Sequence, residues 1–170
     1  HAFTLDGLVM SQSLAFDAMP HSEAARLAWL TRMIETTTPD EVGGMILEFA
    51  LTLPGCCGAT LLCPDDDGRL QTMAGAPPLA EEAALAVVAL QAADGLGYSV
   101  DRRQAALRLL QPERVVLLLS MTADAPPGCL DPLEPCLQLA AHHLRHALRL
   151  SDLRDSHKQL ERSENLQRAL

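Results

Sequence analysis

The chain has 170 residues, enough for one domain plus an extension. Its net charge of −9 excludes a surface that tracks nucleic-acid phosphates, which needs clustered Lys and Arg. An apolar share of 48% with only 3% aromatics can fill a core, but Leu and Ala must fill it.

No run of about 18 apolar residues is present, so no membrane span is expected. Residues 1–20 lack the basic start and apolar block of a signal peptide. The five cysteines, Cys56, Cys57, Cys63, Cys129 and Cys136, are odd in number and lie mostly in apolar company. Reduced thiols in a cytoplasmic protein are the expectation.

Residues 1–21 read as an N-terminal extension, in which Leu5, Leu8, Val9 and Gln12 could share a short helical face before Met19-Pro20. A helix is predicted over 22–36, with Ser22 as its cap and Leu27, Leu30, Met33 and Ile34 at helical spacing. Thr38-Pro39-Asp40-Glu41 then starts a second helix. Thr38 caps it, proline suits its first position, and Glu41 reaches back to close a capping box. Val42, Ile46, Phe49 and Leu53 make one face, and Pro54-Gly55 ends it.

The hydrophobic period then falls to two. Residues 57–74 predict a hairpin around Pro64-Asp65-Asp66-Asp67-Gly68, a run better read as a turn than as a cation site. Cys57 and Cys63 alternate with Ala59 and Leu61, which predicts that these residues share one buried face. Residues 79–93 are rich in Ala and Glu with Leu85, Val88, Ala89 and Ala92 in helical register, and Gly95 would cap that helix. Tyr98 to Val100 is expected as a short strand. Clearer strands run over 105–110 and 114–121, joined at Gln111-Pro112-Glu113. Val115 to Leu119 are apolar on both faces, as in a central strand covered on both sides. Ala125-Pro126-Pro127-Gly128 is loop.

One helix is expected from about Leu133 to Leu170, since nothing from Cys136 onward is glycine or proline. At about 1.5 Å per residue it would be about 55 Å long, more than a small domain is wide. Its apolar residues follow two registers. Leu133, Leu137, Ala141, Leu144 and Leu148 make a stripe for packing inside the domain. Leu139, His143, His146, Leu150, Leu153, His157 and Leu160 keep the 4-3 spacing of a coiled-coil seam, which continues through Glu164 and Gln167. Past Leu150 only the second register persists, so residues 151–170 are expected to leave the domain and pair with a second copy. No stop signal precedes Leu170, so the chain reads as cut from a longer protein. Histidines facing their symmetry mates in such a seam would repel when protonated, so mild acid is expected to loosen the pair.

The element order implies an α+β fold. A mainly antiparallel sheet of four to six strands would carry the first two helices and the start of the last on one face, and helix 79–93 on the other. The capped helix at 38–53, the hairpin around Pro64 to Gly68, the apolar strand 115–121 and the exiting terminal helix together resemble the GAF family of sensory domains over residues 22–150. Two helices before the first strand favour GAF over PAS. The resemblance implies a small-molecule pocket on the outer face of the sheet, for which Leu61, Met73, Val88, Tyr98, Leu107 and Leu119 are candidates. It also implies a non-catalytic regulatory module of a bacterial signalling protein. Such a module would dimerise through its end helices and control an output domain, of the kind found in cyclic-di-GMP turnover proteins and histidine kinases.

No pattern associated with cyclic-GMP sites and no bilin-attachment cysteine is present, so the ligand stays unnamed. Two alternatives stand beside this reading: a ligand-free dimerisation scaffold, and a thiol enzyme like the GAF branch that reduces methionine sulfoxide, using Cys56, Cys57 or Cys63. His142 and His146 have zinc-like spacing, but position 143 is not the Glu of a metalloprotease helix, so no metal is expected. No phosphate loop, Ser-His-Asp set or paired catalytic carboxylates can be found.

Overall fold

The structure is a computed structural model that describes residues 23–111, 113–125 and 133–170, with side chains omitted at 133 and 134. The readings of residues 1–22, of Pro112 and of the loop and cysteine at 126–132 lie outside the described residues. The elements are α1 (Glu23–Glu35), α2 (Pro39–Leu51), β1 (Cys56–Pro64), β2 (Leu70–Gly75), α3 (Ala80–Gln91), β3 (Leu96–Tyr98), β4 (Gln104–Leu110), β5 (Val115–Met121) and α4 (Leu133–Ala169).

The capping box of α2 forms. Glu41 N–H donates to Thr38 Oγ1 at 3.3 Å, and the Glu41 carboxylate accepts from Thr38 N–H at 3.4 Å. Both bonds satisfy backbone donors that the helix start leaves open. The turn between β1 and β2 is held by Asp65, whose Oδ1 accepts from the N–H of Asp67 and of Arg69. That carboxylate organises its own backbone, as a turn residue does. In α4 the one helix breaker, Pro135, stands in the first turn, where a missing N–H costs no intrahelical bond.

The sheet has five strands in the order β2-β1-β5-β4-β3, and every pair is antiparallel. On its inner face lie α1, α2 and the first half of α4. Leu61, Leu117, Leu119, Ala105 and Met121 pack there against Trp29, Met33, Ile46, Phe49, Leu137 and Leu144. Trp29 is the keystone of the helical layer. Its Nε1 donates to Met45 O at 3.0 Å, and its ring lies 4.7 Å from that of Phe49. On the outer face α3 covers Leu62, Ala106, Val116 and Leu118 with Ala86 and Ala89. Small residues let α3 lie close. A Cβ on Gly97 would meet Leu85 O at 3.1 Å.

Two local expectations are corrected. The third strand is Leu96–Tyr98, not 98–100: Leu96, Gly97 and Tyr98 pair with Leu107, Ala106 and Ala105. Ser99 and Asp101 close a turn instead, in which Ser99 Oγ and Arg103 N–H both donate to Asp101 Oδ1, and Val100 is fully exposed. The second concerns β1. The register shifts between Cys56 and Gly58, so Cys56, and not Cys57, joins Ala59, Leu61 and Cys63 against the core. Cys57 is turned outward and is exposed. A bulge of this kind reverses the facing of every residue on its far side.

Candidate functional site

Cross-strand register assembles a polar row on the outer face. Gly58 of β1 and Gln104 of β4 both pair with Ser120 of β5. Thr60, Leu118 and Ala106 make the next row along. α3 does not cover this end of the sheet fully. Between the strands, the 76–79 loop and the first turns of α3 remains a cleft of about 280 Å³. Its strand side carries Gly58, Thr60, Gln104, Leu118 and Ser120, and its roof Pro77, Leu79, Glu82 and Leu85.

Two hydrogen bonds hold the roof. Thr60 Oγ1 donates to Ala76 O at 2.8 Å. Gln104 Nε2 donates to Glu82 Oε1 at 3.0 Å. The other Glu82 oxygen accepts Leu79 N–H at 2.8 Å, which answers an open donor where Leu79 offers no side-chain cap. Gly75 makes the loop possible. It has φ +93°, and a Cβ there would lie 2.6 Å from Ala59 O. At the far end of α3, Arg108 donates from its guanidinium to Leu90 O, Ala92 O and Ala93 O. α3 is therefore fastened to the sheet at both ends, with the cleft under its N-terminal half. A second, shallower groove of about 730 Å³ lies on the other side of the Glu82–Gln104 bond, between α3 and the β3–β4 turn. Leu85 and Gln104 line both.

Of the expected pocket residues Leu119 alone lines the cleft, and the set as a whole is not brought together. Leu61 and Leu119 are buried in the inner cluster, and Leu107 and Met73 pack against the same cluster. Val88 and Tyr98 are about half exposed, at 53% and 48%, with Val88 in the shallower groove. On β5 both faces are apolar, so periodicity could not say which leucine faces α3; Leu118 does, and Leu117 and Leu119 do not. The residues that sequence reasoning missed are Thr60, Glu82, Gln104 and Ser120. A signal existed, since Ser120 is the one polar residue of Val115–Met121.

α4 is a single helix of 37 residues. Leu137, Ala140, Ala141, Leu144 and Ala147 are buried, whereas every residue from Asp152 onward is exposed. Of the expected seam, Leu139, Leu153 and Leu160 are exposed at 47%, 66% and 65%, His146 and His157 are exposed, and Leu150 is half-buried. His143 departs from the expectation that it faces a symmetry mate. Its Nε2 lies 2.9 Å from Thr36 O, just past the end of α1. The helix is also tied to the sheet. Arg145 Nε donates to Glu113 Oε1 at 2.8 Å, and its Nη2 donates to Gln111 O at 3.2 Å, in the β4–β5 turn.

The cysteines differ in setting. Burial, with the nearby Asp40 and Asp65 carboxylates, pushes the Cys63 thiol above its ordinary range, which opposes thiolate chemistry there. Cys57 Sγ is exposed and donates to Ser120 O at 3.3 Å. Among the described residues no three His, Cys, Asp or Glu side chains converge as a metal site, and no helix is long and apolar enough to cross a membrane.

A five-stranded antiparallel sheet, two helices and the root of a third on its inner face, and one helix over a cleft on its outer face define a GAF-like fold. Among solved structures, the chain is similar to the native GAF domain of the potassium sensor histidine kinase KdpD from Escherichia coli. The two share 18% identity with a TM-score of 0.57, over 75% of this chain and 96% of that one. The sequence matches no family model and no curated protein.

Proposed function

We propose that the chain is the sensory and dimerisation part of a bacterial signal-transduction protein and works in the cytoplasm without catalysing a reaction itself. Two copies pair through the exposed length of α4, and α4 carries a change of state to an output domain of the cyclic-di-GMP turnover class. The GAF-like fold supports the sensory reading; the output class rests on the resemblance of the exiting helix to signalling helices.

One observation carries the proposal: a single helix whose root is core and whose second half is exposed on all sides yet carries Leu153 and Leu160 in the same heptad register as Leu150. Covering Leu153 and Leu160, 65–66% exposed on a solvated helix, with the same residues of a second copy would bury apolar surface and stabilise the pair. A helix rooted in the core cannot rotate or shift without moving the packing around Leu144, which is how a domain and a distant output would be coupled.

Sedimentation equilibrium of the 170-residue chain beside a Leu153→Asp, Leu160→Asp variant tests it. A wild-type dimer and a monomeric, folded variant are expected. A wild-type monomer at every concentration in the series would overturn the reading.

A further inference from the structure

The solvent side of α3 is apolar. After Glu82 the helix carries no charged residue before its end at Gln91, and Ala84, Val87 and Val88 on that side are exposed. Across the shallow groove of about 730 Å³ stands the β3–β4 turn, where Val100 is fully exposed. A helix that is apolar all round is normally covered on every side, and a contiguous exposed apolar face marks an interaction surface. The charge beside this face is basic. Arg103 lines the groove and Arg102 is exposed next to it, while the neighbouring acid, Asp101, is engaged by Ser99 Oγ and Arg103 N–H. Glu81 lies in the first turn of α3, where the helix dipole answers its charge.

The chain itself contains a complement to this face. Of residues 1–20, eleven are apolar, including two of the three phenylalanines, Phe3 and Phe16, and the charged ones are Asp6 and Asp17. Segments that stay solvated have the opposite composition, few apolar residues and high net charge. The attachment point is also at the right end of the sheet. α1 and α2 are joined through Thr36, Thr37 and Thr38, and the Arg32–Glu48 ion pair at 3.0 Å closes them into an antiparallel hairpin, so α1 begins beside the end of α2. There Cys56 N–H donates to Leu53 O, Cys56 pairs with Met121, and Met121 N–H donates to Arg103 O in the β3–β4 turn. Residues 1–22 span up to about 70 Å when extended, against a radius of gyration of about 14 Å for a domain of this size.

We infer that residues 1–22 act as an intramolecular strap that covers the apolar side of α3 and fills the groove beside the β3–β4 turn. Phe3, Leu8 and Phe16 supply the apolar contact, and the Asp6 and Asp17 carboxylates turn toward Arg102 and Arg103. The solvent side of α3 is then interior surface of the complete chain, and access to the groove is set by the N-terminal arm.

The test places photoreactive benzoylphenylalanine at Phe3 and, in a second protein, at Phe16 of the 170-residue chain. After irradiation, mass spectrometry is expected to find crosslinks from at least one of the two positions to peptides within residues 79–103, in a product of single-chain mass. The Leu153→Asp, Leu160→Asp variant should crosslink equally, which separates the strap from pairing through α4. Val88→Asp, at an exposed position of α3, should cut the crosslink yield severalfold with the circular dichroism spectrum unchanged. Val100→Asp, at a fully exposed turn residue with no packing to lose, repeats the measurement outside the helix and should do the same. Crosslinks to residues 79–103 from neither position, products that join two chains only, or yields unchanged in both aspartate variants would overturn the inference.

Discussion

His143 Nε2 and Thr36 O lie 2.9 Å apart, joining residues 107 positions distant in the chain. The contact anchors the root of α4 to the end of α1, at a seam position that 4-3 spacing alone would hand to a partner copy. His143→Ala is therefore expected to act on the fold and not on pairing. A loss of about 1 kcal/mol would follow from the broken hydrogen bond. Thermal melts should fall by a few degrees while the sedimentation constant for dimer dissociation stays put. An opposite pattern, weaker pairing with an unchanged melt, would return His143 to the seam.

The Glu113–Arg145 pair predicts a particular acid limb. Partial burial is the largest single influence on Glu113 and pushes its pKa up. The hydrogen bond from Arg145, the backbone at Glu113 and the charges of Arg145 and Arg149 together outweigh it and hold the carboxyl below its ordinary 4.5. A depressed carboxylate stabilises the fold above its unfolded pKa, and that contribution is lost as pH falls through the folded value. Glu113→Gln should thus cost up to about 1 kcal/mol at neutral pH, an amount limited by the partial exposure of the pair. The variant should also show a shallower decline of melting temperature below pH 4.5. Parallel acid limbs for the two proteins would contradict the assignment.

Thiol reactivity should follow the bulge in β1. Cys57 is exposed, Cys63 is half-buried with its thiol pushed upward, and Cys136 is buried. Brief iodoacetamide treatment of the native protein, read by peptide mass spectrometry, is expected to label Cys57 well before Cys63 or Cys136. Prior labelling at Cys63 would revive a thiol-enzyme reading that its setting opposes.

Much of the fold was legible because it depends on local chemistry. The capping box at Thr38 and Glu41 and the Asp65 turn each involve residues a few positions apart, and each forms as expected. The layer assignment was legible too, since helices flanking a sheet must divide between its two faces to bury both. The two registers of α4 likewise predicted where the helix stops being core, near Leu150.

Facing and partnership were decided only by tertiary structure. Sheet parity follows from long-range pairing, which left Leu61 and Leu119 beneath the helices instead of under α3, while the register shift between Cys56 and Gly58 turned Cys57 outward. A strand such as Val115–Met121, apolar throughout, carries no periodic signal that could choose a face. The cleft exists because Gly58, Ser120 and Gln104, widely separated in the chain, fall into one row when three strands pair. His143 shows the same limit. Heptad spacing says which helix side it occupies, but only the packing of α1 against α4 placed the Thr36 carbonyl there.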